Sequence, residues 1–391
     1  MHAFAKTVCP LVFLAALLAW SAWAGEKLEV GPGKKFEKPS AAIKAAKDGD
    51  TIEIDAAGKY DGDVCFVSAN NLTLRGVGEG RAKLPAAGQH AGGKAIWVIR
   101  GDNATVENIE FSGARVPDGN GAGIRLEGKN LTVRRCRFHD CEDAILTGKN
   151  PESTVVIEHC EFSYCSLNTD PVITHNLYIG EVKKLVYRFN YSHHAMLANV
   201  VKSRAAESHI MYNRLTAEVD GGDSFVVDLP NGGKAYIVGN VLQKSPRANN
   251  QFFVVYGREG IKHAENELYV VNNTMVNNLG KGLFVEINKV KPDFKAVVRN
   301  NIFAGKGTAC NWPTAVLEGN FTGGDPLFVN PAEWDYRLKK GSPCIDKGVD
   351  PGKAGELALK PEFQYLHPCS SEKRPDDGKI DVGAHEFAEG K

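Results

Sequence analysis

Net charge is absent from this chain: 47 basic residues balance 47 acidic ones over 391 residues. No global field therefore draws it to nucleic acid or to an anionic membrane. No CxxC pair with a His partner occurs, which argues against structural zinc. No dense loop of oxygen ligands occurs either, so calcium is a minor option and no metal or cofactor is expected. The apolar run Leu11 to Trp20 is too short to cross a bilayer comfortably. With Lys6 ahead of it and Ala22-Trp23-Ala24 behind, it reads as a signal peptide over residues 1–24, cleaved after Ala24. The mature chain, with 46 basic and 47 acidic residues, is then secreted or periplasmic, with no membrane partner after cleavage.

What is present is a repeat. A turn, a valine-rich strand, Asn or Cys, and then Phe, Leu or Met returns at Asn108, Cys136, Cys160, Asn190, Asn213, Asn240, Asn273, Asn301 and Asn320, at intervals of 19 to 33 residues. That spacing fits one coil of three short strands with loops of variable length. Such a coil cannot bury its own apolar side, so neighbours about 4.8 Å away supply the core and equivalent side chains form ladders. Asn suits a ladder because it tolerates left-handed backbone and its amide bonds the amides above and below. The fold class expected is all-β: a single-stranded right-handed parallel β-helix, one elongated domain and a monomer. Cys136 and Cys141 recur 24 residues later as Cys160 and Cys165, one coil apart. Cross-coil disulfides and a buried thiol ladder both fit this spacing.

The ends differ from the middle. Pro39 to Lys47 carries Ala and Ile at helical spacing and ends at Asp48-Gly49-Asp50, so an amphipathic helix is expected to plug the open end of the stack within a cap and first coil over 25–70. The β-helix itself is expected over 71–324. Residues 325–391, rich in Pro, Gly and aromatics and without the Asn ladder, read as a closing segment packed along the coils, pinned by some pairing of Cys310, Cys344 and Cys369. On these end segments and the coils between them, the mature chain resembles secreted bacterial right-handed β-helix proteins of the pectate-lyase type.

Chemistry is expected where strands stack. Alternation along "HNLYIG" from His175, "NVVKSR" from Asn199, "FVVDL" from Phe225, "FVVYGR" from Phe253 and "LFVEI" from Leu283 places Ile179, Val201, Val227, Val255 and Val285 inward. Tyr178, Lys202, Asp228, Tyr256 and Glu286 then point outward, with Arg204 and Arg258 two places further on. Stacked over about five coils, these groups span on the order of 20 to 25 Å, a groove for about four or five sugar units of an acidic polysaccharide. His175, Tyr178, His193, His194, Lys202 and Arg204 crowd into two consecutive coils. Such a set suits β-elimination on a uronate: a cation neutralises the carboxylate, a base takes the proton at carbon five, and an acid protonates the departing oxygen.

The stretch from Asn199 to Gly233 is similar to the central motif of the alginate lyase and chondroitinase B family. The resemblance implies Lys202 as base, with Ser203 and Asn213 in place. It departs at Asp228, where that family has an Arg, and at Val200 and Val201, where acids hold calcium. The resulting expectation is a polysaccharide lyase with Lys202 as base and Tyr178 or His175 as acid. Arg204 and one of His193 or His194 would meet the carboxylate, and Asp228 would orient Lys202 or a His. Tyr256, Arg258 and Glu286 complete the substrate-binding set. A uronate epimerase, a glycoside hydrolase using Asp228 or Glu286, and a noncatalytic binding or surface protein are the alternatives.

Overall fold

The computed structural model describes residues 25–167 and 172–389; the expected signal segment lies outside them. The chain winds through three parallel sheets of twelve, ten and ten strands. The first runs from Lys27–Val30 to Val316–Glu318, the second from Cys65–Val67 to Thr308–Cys310, and the third from Ala82–Pro85 to Phe321–Thr322. From Thr73 to Glu318 successive strands visit the first, third and second sheets in turn. Strict alternation of half-exposed and buried residues marks early first-sheet strands such as Thr51–Asp55, as expected for strands wet on one face. Inside, Phe111, Phe138 and Phe162 stack at 5.0 and 5.3 Å between ring centres. Among the described residues no helix is long and apolar enough to cross a membrane.

One short helix, Pro39–Ala45, closes the first coils. Pro39 starts it, where the missing N–H costs nothing. Ala42 and Ile43 are buried against strands Lys27–Val30, Thr51–Asp55 and Cys65–Val67.

The ladder is continuous and fully bonded. Oδ1 of Asn213 accepts the backbone N–H of Asn190 at 2.9 Å and its amide at 3.1 Å. The same pair of bonds links Asn213 to Asn240, Asn240 to Asn273, Asn273 to Asn301 and Asn301 to Asn320. Cys160 donates its N–H to Asn190, and Cys136 to the Cys160 sulfur, so cysteines extend the column. The left-handed residue is the one before the ladder position: Arg135, His159, Phe189, Tyr212, Asn272 and Asn300 have φ between +51° and +61°. Asn108 belongs to that set, with φ +55°, because Glu107 pairs with Arg134; its amide turns to the carbonyls of Gly76 and Gly80. All eight cysteines of the described residues are free thiols, so the buried-thiol reading stands and Cys310, Cys344 and Cys369 pin nothing covalently.

Beyond Thr322 the chain leaves the coils for antiparallel ribbons, among them Phe328–Asn330 with Asp335–Leu338 and Phe363–Leu366 with Ser370–Lys373. Phe328, Tyr336, Leu338 and Val382 pack on the outer face of Val241, Val276 and Ile302. Leu359 and Phe363 pack beside Phe189, Tyr212 and Tyr236. Arg374 is buried against Glu386 at 2.7 Å and three backbone carbonyls. The closing segment is held by packing and hydrogen bonds.

Candidate active site

The second sheet sets the site. Register pairs Tyr178 with Lys202 and Lys202 with Asp228, so these three face outward in consecutive coils while Leu177, Val201 and Val227 enter the core. Upstream the same column continues through Leu146 to Arg125; downstream it passes Val255 before Glu286. A cleft of about 570 Å³ opens over the upstream part, lined by Arg125, Leu146, His175, Tyr178, Lys202, Arg204 and Glu259 among others.

Two cations in this cleft share one carboxylate. Glu259 accepts from Lys202 Nζ at 3.0 Å through one oxygen and lies 2.7 Å from Arg204 through the other. Burial pulls the Glu259 pKa up, but the hydrogen bonds from Arg204 and Lys202 outweigh it and bring it down to about 2. Arg204 also donates from Nε to the Tyr178 hydroxyl at 2.9 Å and from a terminal nitrogen to Asn231 at 2.5 Å. Tyr178 Oη thus accepts from a cation, which leaves its own proton free to be donated. Beneath Lys202, Asp228 is 3% exposed, lies 3.4 Å from Nζ and accepts from the Asn199 amide at 2.9 Å. Burial raises its pKa to about 6, against the pull of Lys202.

His175 is buried and stacks on the Tyr178 ring at 5.6 Å. Its backbone N–H is held by Asp143 at 2.7 Å, and its Nδ1 accepts the Asn199 N–H at 3.3 Å, which places the ring proton on Nε2. Burial, then the charges of Lys202 and Arg204, lower its pKa to about 3. His175 is therefore a neutral hydrogen-bond donor at neutral pH, with no imidazolium proton to give. An imidazole whose folded pKa lies below the ordinary 6.5 binds fewer protons folded than unfolded, so it stabilises above 6.5 and loses that contribution as pH falls toward 3. Asp228 has the opposite slope, since its contribution is lost as pH rises through about 6. Replacing His175→Asn should hence make the urea midpoint less acid-sensitive between pH 7 and pH 4.5, by up to about 2 to 3 kcal/mol.

Several expected residues lie elsewhere. Tyr256 faces inward: it pairs with Leu229, is fully buried, packs against Phe294 and donates to the Gly233 carbonyl at 2.7 Å. Val255 takes the outward place, a one-residue slip that reverses every face. The slip arises because Phe225 aligns with Phe252 rather than Phe253; their rings lie 6.2 Å apart. Arg258 stands over those two rings and 3.8 Å from Glu286, outside the cleft. His193 ends strand Tyr191–His193 of the third sheet, with His194 just after it, so neither shares the cleft with Lys202. The expected five-coil polar groove is thus interrupted at Val255 and extends instead toward Arg125. Glu259, Asn231 and Asn199 escaped sequence reading. Glu259 and Asn231 lie outside the second-sheet strands, and the only local signal at Glu259 is its flanking Gly257 and Gly260, both with positive φ.

Calcium does not fit beside Lys202. Val200 and Val201 are buried in the core, and the nearby carboxylates Glu259 and Asp228 are already paired with cations.

Likeness to known proteins agrees with this architecture. A family model described as a right-handed β-helix region matches residues 65–241. The crystal structure of pectate lyase Pel9A superposes with a TM-score of 0.63 over 89% of this chain and 90% of that one, at 14% identity. No curated protein matches the chain. At that identity the likeness speaks for the fold alone, and the fold is the pectate-lyase-like right-handed parallel β-helix.

Proposed function

We propose that the protein is a secreted polysaccharide lyase that cleaves an acidic, uronate-containing polymer by β-elimination. One observation carries this reading: the Glu259 carboxylate sits between Lys202 and Arg204, beside the Tyr178 hydroxyl, where a sugar carboxylate would be neutralised. An incoming uronate takes over Arg204 as Glu259 swings out. Lys202, left with Asp228, passes its proton to the Asp228 carboxylate and as the free amine removes the one at carbon five; that electron pair forms the double bond to carbon four. The bond from carbon four to the glycosidic oxygen breaks, and Tyr178 protonates the departing oxygen. His175 keeps Tyr178 in place by stacking and offers Nε2–H as a donor.

The test is incubation of the mature protein with a panel of uronate polymers while ultraviolet absorbance from unsaturated ends is recorded. Reducing-end release with no such absorbance would make the protein a hydrolase; no change in any polymer would make it a binder. Because Glu259 competes with the substrate carboxylate, Glu259→Gln should lower KM about three- to tenfold with kcat little changed, the signature of altered ground-state binding. An unchanged KM would remove Glu259 from the substrate's path.

A further inference from the structure

The third sheet carries a second cluster of titratable side chains that the cleft does not use. In an extended strand His193 and His194 would project to opposite sides. His194 instead has φ +48°, and this left-handed turn brings both imidazoles to one side, with their Nδ1 atoms 2.5 Å apart. One coil further on, Glu218 closes the group: one ligand atom from each of His193, His194 and Glu218 lies within 4.8 Å of the others. Asp220, more exposed, reaches His194 Nε2 at 3.0 Å. The rings are held from outside, His193 by Tyr191 at 4.1 Å and His194 by Tyr164 at 4.6 Å, and the Tyr191 hydroxyl donates to Glu218. Arg214, 3.7 Å from Glu218, offsets only one of the two carboxylates.

We propose that His193, His194 and Glu218 bind a divalent transition-metal cation of the zinc, cobalt or nickel class, with Asp220 on the far nitrogen of His194 to orient that ring. Two imidazole nitrogens this close need a shared proton or a cation between them. Two nitrogens and carboxylate oxygens suit these ions and not calcium or magnesium, which take oxygen. Ligands about 2.0 Å from a tetrahedral ion lie about 3.3 Å apart, so the imidazoles need part by less than about 1 Å. Adjacent histidines carry no ligand spacing in the sequence, because their acid partner arrives a whole coil later.

The experiment is calorimetric titration of the chelator-treated full chain with zinc chloride at pH 7.5, with the visible spectrum on adding cobalt chloride as a second readout. One ion per chain at micromolar Kd or tighter is expected, with cobalt bands of a low-coordinate nitrogen and oxygen site. His194→Asn, which keeps a residue tolerant of positive φ, and Glu218→Gln should each weaken binding at least thirtyfold while the metal-free melting temperature stays near that of the parent. If either variant misfolds, His193→Gln replaces it. Wild-type binding no tighter than about millimolar, or wild-type affinity retained in the folded variants, overturns the site.

Discussion

Lys202→Ala and Lys202→Arg should both abolish release of unsaturated uronate ends, by at least about a thousandfold in kcat, while polymer binding persists. The pair separates chemistry from architecture. Lys202 faces outward with its side chain 13% exposed, so no core packing is lost in either variant. The alanine variant strips Asp228 of its cation and leaves a buried carboxylate held by Asn199 alone, with its Oδ1 already unpartnered. A neutral Asp228 limits the damage, since a group whose pKa is already about 6 protonates at modest cost. The arginine variant keeps a cation between Asp228 and Glu259 but cannot surrender its proton near neutral pH. Retention of more than about a tenth of the activity by Lys202→Arg would end the assignment of Lys202 as base, even with cleavage itself established.

Asn240→Leu should lower the unfolding free energy by about 3 to 5 kcal/mol, read as a fall in the urea midpoint at unchanged slope. Asn240 is fully buried and makes four bonds: its Oδ1 accepts the Asn213 N–H at 2.9 Å and the Asn213 amide at 3.0 Å, and its Nδ2 donates to the Ile210 carbonyl at 2.8 Å and to Asn273 Oδ1 at 2.9 Å. Leucine leaves two donors and two acceptors without their Asn240 partner in a dry interior, at about 1 to 3 kcal/mol for each left unsatisfied. The added apolar burial returns about 2 kcal/mol. Asn108→Gly is the control, because its side chain serves the Gly76 and Gly80 carbonyls at the edge and glycine adopts φ +55° freely; it should cost less than about 1 kcal/mol. Equal losses in the two variants would mean that the column contributes no more than an ordinary turn.

The fold was legible because each of its signals is periodic. Asn190, Asn213, Asn240, Asn273, Asn301 and Asn320 occupy one column, and the alternation that turns Leu177, Val201 and Val227 inward needs only a period of two. Tyr178 and Lys202 could be set side by side on that basis, since the register that the doubled Val200-Val201 also allows would turn the charged Lys202 into the core. The doubled Phe252-Phe253 offers a competing alignment, and the reading went astray there, exchanging Tyr256 for Val255.

The amino-acid order by itself determined the stacked coil, the plugging helix and the outward placement of Tyr178, Lys202 and Asp228, because local alternation and a repeated buried amide encode them. Only the tertiary structure decided that Glu259 returns from a later coil to hold Lys202 and Arg204, and that His193 and His194 turn together toward Glu218 on another sheet. Loop paths and left-handed turns carry no period, so contacts made through them arise only when the coils are packed.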